Sequence, residues 1–103
     1  MSGHAMLDRF TAEDFAPLLE SDFEVRLDDG AVVLLRLCEI GRYAPSGAGS
    51  RPAPFSLVFE AGAQRVLPQR IYRVTPPGMA AMDLFLVPVG KTAEGVRYEA
   101  VFN

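Results

Sequence analysis

The sequence has few of the side chains on which enzyme chemistry most often depends. Its 103 residues include one cysteine and one histidine. Cys38 by itself cannot form an intrachain disulfide or a cysteine metal cluster, and in its strongly apolar segment we expect a small core side chain. His4 belongs to the opening "MSGHAM", which we interpret as a tag remnant. No histidine is then left to activate a serine or Cys38 as a nucleophile.

Long apolar runs and an excess of positive charge are also missing. No segment approaches the roughly 20 apolar residues of a membrane-spanning helix, and the N-terminus lacks the basic-then-apolar pattern of a signal peptide. The net charge is −3, which provides no general attraction to nucleic-acid phosphates or to an anionic membrane. We therefore expect a cytoplasmic protein that binds neither nucleic acid nor membrane.

Most of the chain alternates apolar and polar side chains with a period of two, as in Phe23, Val25 and Leu27 around Glu24 and Arg26. This period is typical of β-strands with one buried face. Six segments, separated by turn sequences such as "DDG" and "TPPGM", are predicted strands: 23–27, 31–40, 55–61, 65–74, 81–89 and 96–102. The pattern predicts a mainly β fold, a six-stranded antiparallel barrel or sandwich with one short N-terminal helix.

The connections between these segments predict the strand order. Hairpin-length turns favour a meander, in which each strand lies beside the next one along the chain. Segment 31–40 is apolar on both faces and is typical of a central strand. Pro68 and Pro88 cannot donate backbone hydrogen bonds, which predicts edge positions or, for Pro68, a bulge. The last segment, 96–102, needs a cover, either the first or fifth strand of its own sheet or a second copy in a homodimer.

The N-terminal helix is predicted within residues 11–20. Thr11 fits the N-cap position and Asp14 the acidic position of a capping box. Pro17 limits the segment to a short helix with a tight first turn. Three apolar side chains at helical spacing predict a lid that lies on the core. They are Phe15, Leu18 and Leu19.

Residues 6–103 are long enough to form one domain with a sizeable core and without a disulfide or metal staple. We interpret residues 1–5 as a tag remnant or a disordered segment. Residues 41–54, "GRYAPSGAGSRPAP", are rich in proline, glycine and serine and predict a mobile loop. Its glycines lack a Walker lysine, and prolines follow where a phosphate-binding helix would begin, so nucleotide binding is not expected.

Acidic pairs could hold a divalent ion or act as acid and base. The candidates are Asp28 with Asp29 and Glu13 with Asp14. "DDG" is ordinary turn chemistry and "TAED" ordinary helix capping, so the structural reading of both pairs is favoured. We expect no catalytic residue, no bound metal and no cofactor.

An arginine-rich segment is the strongest candidate for a binding surface. Arg65, Arg70 and Arg73 are interleaved with Tyr72, and Arg97 with Tyr98 is placed on a neighbouring strand. A solvated outer face is one interpretation. The alternative is a recognition patch for a protein partner, because arginine and tyrosine are enriched in binding hot spots. The candidate partner-binding residues are Arg70, Tyr72, Arg73, Arg97 and Tyr98.

Five segments carry a family resemblance: "MLDRFTAEDFAPLLESDFEVRLDDG", "APFSLVFEA", "LPQRIYRV", "LFLVPVG" and "RYEAVFN". Together they resemble a family of small, uncharacterised bacterial proteins that carry a single domain of unknown function. Members of that family are often encoded near proteins with phage-tail-collar-like domains. The resemblance implies an accessory or assembly role and supplies no catalytic residues to carry over.

These observations favour a non-enzymatic protein-interaction or assembly module, accessory to a phage-tail-like protein. Its partner would bind at a strand edge, the arginine and tyrosine face or the mobile loop. The alternative is a small-ligand-binding barrel or a cryptic enzyme that uses the barrel mouth. Single-stranded nucleic-acid binding is the least favoured function.

Overall fold

The protein is a closed six-stranded antiparallel β-barrel. The computed structural model describes residues 10–43, 53–62 and 66–102. This confirms the predicted fold class and decides between barrel and sandwich. The strands are β1 (Asp22–Arg26), β2 (Val32–Arg42), β3 (Phe55–Ala61), β4 (Arg70–Thr75), β5 (Met82–Lys91) and β6 (Val96–Phe102).

The strand order differs from a simple meander. Around the barrel it is β1-β2-β3-β6-β5-β4. Two three-stranded meanders, β1-β2-β3 and β4-β5-β6, are therefore joined where β3 pairs with β6 and where β1 pairs with β4. The prediction that each strand lies beside the next one is therefore wrong at one place, between β3 and β4. The reason is that no hairpin follows β3: Leu67, shortly before β4, is buried in the core, and β4 pairs with β1 and β5 instead of β3.

The last strand lies inside the sheet. β6 pairs with β3 along all seven of its residues and with β5 from Val96 to Glu99. Pairing with the fifth strand is confirmed, and because the barrel is closed, the strands described have no free edge for a partner. Pro68 lies in the connection before β4, and Pro88 lies in β5 beside a register shift and beyond the last residue paired with β4, Leu86. Neither proline marks a sheet edge.

A short helical segment closes one end of the barrel. It consists of helix α1 (Ala12–Phe15) and a 3₁₀ turn at Ala16–Leu18. The Asp14 carboxylate accepts a hydrogen bond from the Thr11 N–H at 2.8 Å, as the predicted capping box requires. Phe15 is fully buried, but Leu19 is 41% exposed, because the helical turn ends before it. Only part of the predicted lid face is therefore covered.

Phenylalanine rings fill the barrel beneath this segment. The Phe15 ring lies 5.5 Å from Phe102 and 5.9 Å from Phe55, between ring centroids. Phe55 and Phe102 stack at 4.5 Å, and Phe23 meets Phe59 edge-on at 5.0 Å. A six-stranded barrel has an interior narrow enough for side chains to fill, so this end is closed by apolar packing.

The predicted loop at 41–54 begins later than expected. β2 continues to Arg42, and the Tyr43 N–H donates to the Pro54 carbonyl at 3.1 Å. The first three residues of the predicted loop and its last residue, Pro54, therefore belong to the paired part of β2 and β3. Residues 44–52, and residues 1–5 with their predicted tag remnant, lie outside the described residues.

Candidate functional site

The end of the barrel opposite the helix carries a cleft of about 360 Å³. It opens between the β1–β2 turn and the start of β4, and we call it the arginine cleft because three arginine side chains line it. The lining residues are Arg26, Leu27, Asp28, Asp29, Val66, Leu67, Pro68, Arg70, Ile71, Tyr72 and Arg73. The cleft combines positive charge with apolar surface.

One wall of the cleft is the β1–β2 turn, residues 27–31. The Leu27 N–H donates to the Ala31 carbonyl at 2.8 Å, and Gly30 has a φ of 87°, a left-handed conformation that glycine adopts without strain. The Asp29 side chain accepts from the Ala31 N–H at 2.9 Å. This confirms the turn role predicted for Asp29, and it leaves Asp28 to form an ion pair with Arg70 at 3.1 Å.

Two buried tyrosines hold residues that line the cleft. The Leu67 N–H donates to the Tyr98 hydroxyl at 2.9 Å, and the Tyr72 hydroxyl donates to the Pro68 carbonyl at 2.6 Å. Burial raises the pKa of Tyr72, while the positive charge of Arg70 acts in the opposite direction. The guanidinium of Arg70 lies over the Tyr72 ring, 5.4 Å from its centroid. The tyrosines thus hold the β3–β4 connection and support Arg70.

The outer rim of the cleft carries the other two arginines. Arg26 on β1 lies directly opposite Arg73 on β4 in the antiparallel register. The Arg73 guanidinium forms an exposed ion pair with Asp83 at 3.3 Å. In the part of the chain that the structure describes, the Arg26 side chain has no hydrogen-bond or ion-pair partner.

Apolar side chains lie next to these arginines. Ile71 is 62% exposed and pairs across the β4–β5 ladder with Phe85, which is 50% exposed. Val66, which also lines the cleft, is exposed as well. Exposed apolar residues grouped beside polar ones are a feature of interaction sites.

A family model for a domain of unknown function, DUF6916, matches residues 10–102. The chain belongs to the DUF6916 family. The match includes α1, all six strands and the arginine cleft, so the cleft is part of the DUF6916 domain itself. Searches among curated proteins and among solved structures find no match.

In the DUF6916 domain, the arginines and tyrosines of the predicted patch do not share one surface. Arg70 and Arg73 line the cleft, but Tyr72 and Tyr98 are only 6% and 0% exposed. Their side chains point inward because they alternate with the outward side chains of β4 and β6. The expectation that both rings contribute contact surface is corrected: they support the cleft from inside. Arg65 lies outside the described residues.

Arg97 lies in a different part of the barrel wall. β5 separates its strand from β4, so the expectation that the two arginine segments are on neighbouring strands is wrong. Arg97 Nε lies 3.7 Å from a largely buried Glu60 carboxylate, which also pairs with Arg36 at 2.8 Å. The Thr92 hydroxyl donates to the same carboxylate at 2.8 Å. These contacts hold β2, β3 and β6 together on the outer wall.

Sequence reasoning missed Arg26 and Ile71 as cleft residues. Both were part of predicted strands, but only the β1–β4 pairing brings them together. A signal for the apolar part of the site was present on β5. Phe85 is two residues from Asp83 and therefore lies on the same face of the strand, so the sequence already places a large apolar ring on the solvent face.

The remaining candidates in the DUF6916 domain do not form a second site. Cys38 is half-buried at a register shift in β2, and the expected core position is wrong because the bulge turns this residue out of the core. Across residues 10–43, 53–62 and 66–102, no three histidine, cysteine or acidic side chains come together as metal ligands. None of the described helices has the length and apolar character needed to cross a membrane.

Proposed function

We propose that this DUF6916 domain is a non-enzymatic interaction module that binds a protein partner through the arginine cleft. One observation carries the proposal: three arginines from β1 and β4 meet exposed apolar side chains in a single cleft at one end of the barrel. Arginine is enriched among the residues that dominate binding energy, and exposed apolar side chains grouped beside polar ones are a feature of interaction sites. Charged and apolar contacts in one place are suited to a protein surface.

Because the barrel is closed, binding through the cleft is favoured over binding at a strand edge. A partner cannot add a strand to the described sheet, because each strand already pairs on both sides. The carboxylates of the cleft also have structural tasks, since Asp28 pairs with Arg70 and Asp29 holds the turn. This arrangement supports recognition as the role of the cleft, in place of acid–base chemistry.

The family resemblance extends the proposal to a cellular setting. We infer a bacterial, cytoplasmic protein with an accessory or assembly role beside a phage-tail-like protein. In that setting the cleft would bind one component of the assembly. A rigid barrel with a preformed cleft suits this role, because little conformational entropy is lost on binding.

The test is affinity capture from cells of the native host, with quantitative mass spectrometry of the bound proteins. The captured chains would be the wild type, an Arg70→Ala plus Ile71→Ala cleft variant, and an Arg42→Ala control. Arg42 is an exposed arginine at the helix end, where it pairs with Glu13. We expect a defined protein to bind the wild type and the control and to be lost from the cleft variant.

Equal recovery with the cleft variant would contradict the proposal. Far-UV circular dichroism and urea unfolding of all three chains would show that the loss does not come from unfolding. A recovered protein with a phage-tail-like domain would support the assembly setting. Recovery of an unrelated protein, lost with the cleft variant, would support the cleft but not that setting.

The size of the cleft favours a second candidate function, binding of a small anionic ligand. Its volume of about 360 Å³ lies within the range of small-molecule pockets, about 300–1,000 Å³. Thermal-shift measurements with citrate and inorganic phosphate would test it. A shift that disappears in Arg70→Ala would support a small ligand, and the absence of any shift would leave the protein partner as the function.

A further inference from the structure

We propose that the arginine cleft recognises a carboxylate together with a large apolar side chain, on an extended segment of the partner protein. The acidic side chain of the partner would lie between Arg26 and Arg73, and the apolar side chain would lie on Ile71 and Phe85. This inference rests on the proposed function and specifies the chemistry of the partner.

The arginine pair is the first argument. Arg26 and Arg73 occupy directly opposite positions on β1 and β4, and both line the cleft. Like charges directly opposite each other on a sheet repel and destabilise it. Asp83 offsets only one of these charges, through an exposed ion pair with Arg73. A carboxylate between the two guanidinium groups would remove the repulsion.

Arginine is well suited to this carboxylate. Its planar guanidinium can donate two parallel hydrogen bonds to one carboxylate, and such charge-assisted bonds are stronger than neutral ones. In the described part of the chain the Arg26 side chain has no ion pair to give up, and Arg73 would exchange a solvent-exposed one. The cost of freeing both arginines is therefore low.

The apolar platform is the second argument. Ile71 precedes Arg73 by two residues on the same outward face of β4, and Phe85 lies directly opposite Ile71. Side chains two residues apart on a strand are about 7 Å apart. An extended partner segment repeats this spacing, so an acidic residue and a large apolar residue two positions apart would meet both parts of the surface.

Peptide display would test the inference directly, since it needs only the purified domain as the selection target. A library of random twelve-residue peptides would be selected against the wild-type protein, and the enriched peptides would be sequenced. We expect enrichment of Asp or Glu two positions from Leu, Ile, Met or Phe. Affinity for these peptides should fall roughly tenfold or more in Arg26→Ala plus Arg73→Ala, as expected for a hot-spot contact.

Matched variants separate the carboxylate from the rest of the cleft. Arg42→Ala, at the helix end, should keep the wild-type affinity. Ile71→Ala should also weaken binding, and raised salt should weaken wild-type binding, because the contact is charge-assisted. Circular dichroism and urea midpoints of each variant would confirm an intact fold.

The outcomes distinguish this inference from the proposed function. Enriched peptides that lose affinity in Ile71→Ala but not in the double arginine variant would support the cleft and overturn the carboxylate inference. Enriched peptides without acidic residues would overturn it in the same way. The inference and the proposed function would both be contradicted if no peptide were enriched, or if no enriched peptide depended on a cleft residue.

Discussion

The two ends of the barrel are closed in different ways. At the helix end, Phe15 inserts among the rings of Phe23, Phe55 and Phe102, so the closure is apolar. At the cleft end, two tyrosine hydroxyls hold Leu67 and Pro68, just before β4. Above those hydroxyls lie charged residues that reach solvent. The same barrel thus has one end that is packed and one that is polar and open.

This difference separates stability from recognition. Burial of apolar rings is a large stabilising contribution that depends on close packing. Exposed ion pairs contribute little to stability, so the exposed arginines of the cleft can vary without loss of the fold. We therefore expect substitutions of buried side chains at the helix end to change folding and substitutions of exposed cleft side chains to change binding.

Replacing Phe15 should have the largest effect. The Phe15→Ala variant removes a fully buried ring, and the free energy of unfolding should fall by about 3–5 kcal/mol. Urea unfolding followed by circular dichroism would measure it. Leu19→Ala, in the same segment but partly exposed, should change stability by about 0.5 kcal/mol or less. Equal losses in both variants would show that ring packing does not close this end.

Gly95→Ala should have the next largest effect, at the cleft end. A Cβ at Gly95 would collide with the backbone carbonyl of Ala61, where the β3–β4 connection begins. Backbone cannot move aside as a flexible side chain can, and we expect a loss of about 1–3 kcal/mol. Gly90→Ala is the control, since nothing lies within 4 Å of its added Cβ. The midpoint of thermal unfolding should be lower for Gly95→Ala than for Gly90→Ala. Equal midpoints would show that the added Cβ at Gly95 does not collide with the Ala61 backbone.

Tyr98→Phe tests how the β3–β4 connection is held. The variant leaves the buried Leu67 N–H without its acceptor, which should cost about 1–2 kcal/mol. Tyr43→Phe removes a weaker hydroxyl contact, 3.3 Å to Ser56, from a ring that is partly exposed. Urea unfolding should show a smaller loss of stability for Tyr43→Phe than for Tyr98→Phe. The reverse order would show that the connection does not depend on Tyr98.

The Arg70–Asp28 ion pair should contribute little. Both side chains are exposed, so a double-mutant cycle with Arg70→Ala and Asp28→Ala should give a coupling energy of about 0.2–1 kcal/mol. The Arg42–Glu13 pair at the helix end is similarly exposed and should give a similar value. A coupling several times larger at the cleft than at the helix end would mean that the cleft is part of the stable core.

The smallest effect concerns pH. Burial raises the pKa of Tyr72, so the folded state holds the hydroxyl proton more tightly than the unfolded state, in which the tyrosine pKa is about 10. The resulting stability is complete below that pH and is lost as pH rises through the raised pKa. The difference in unfolding free energy between the wild type and Tyr72→Phe should therefore narrow between pH 8 and pH 11. A constant difference would contradict the effect of burial.

Part of this molecule could be predicted from the chain because the information is local. The bounds of β3 and β6 match the predicted segments, since their alternation is uninterrupted. The capping contact between Thr11 and Asp14 was also predictable, because it joins residues three positions apart. The arginine cleft was only partly predictable: Arg70 and Arg73 were named, whereas Arg26 and Ile71 were not.

The amino-acid sequence by itself determined the strands, the short helix and the mainly β class, because the period of two decides which side chains each strand can bury. Only the tertiary structure decided that β4 lies beside β1 and that β6 lies between β3 and β5. It also decided that Tyr72 and Tyr98 face inward while Arg26 meets Arg73. The physical reason is that strand pairing across a closed barrel depends on which apolar faces pack together, and that choice involves residues far apart in the chain.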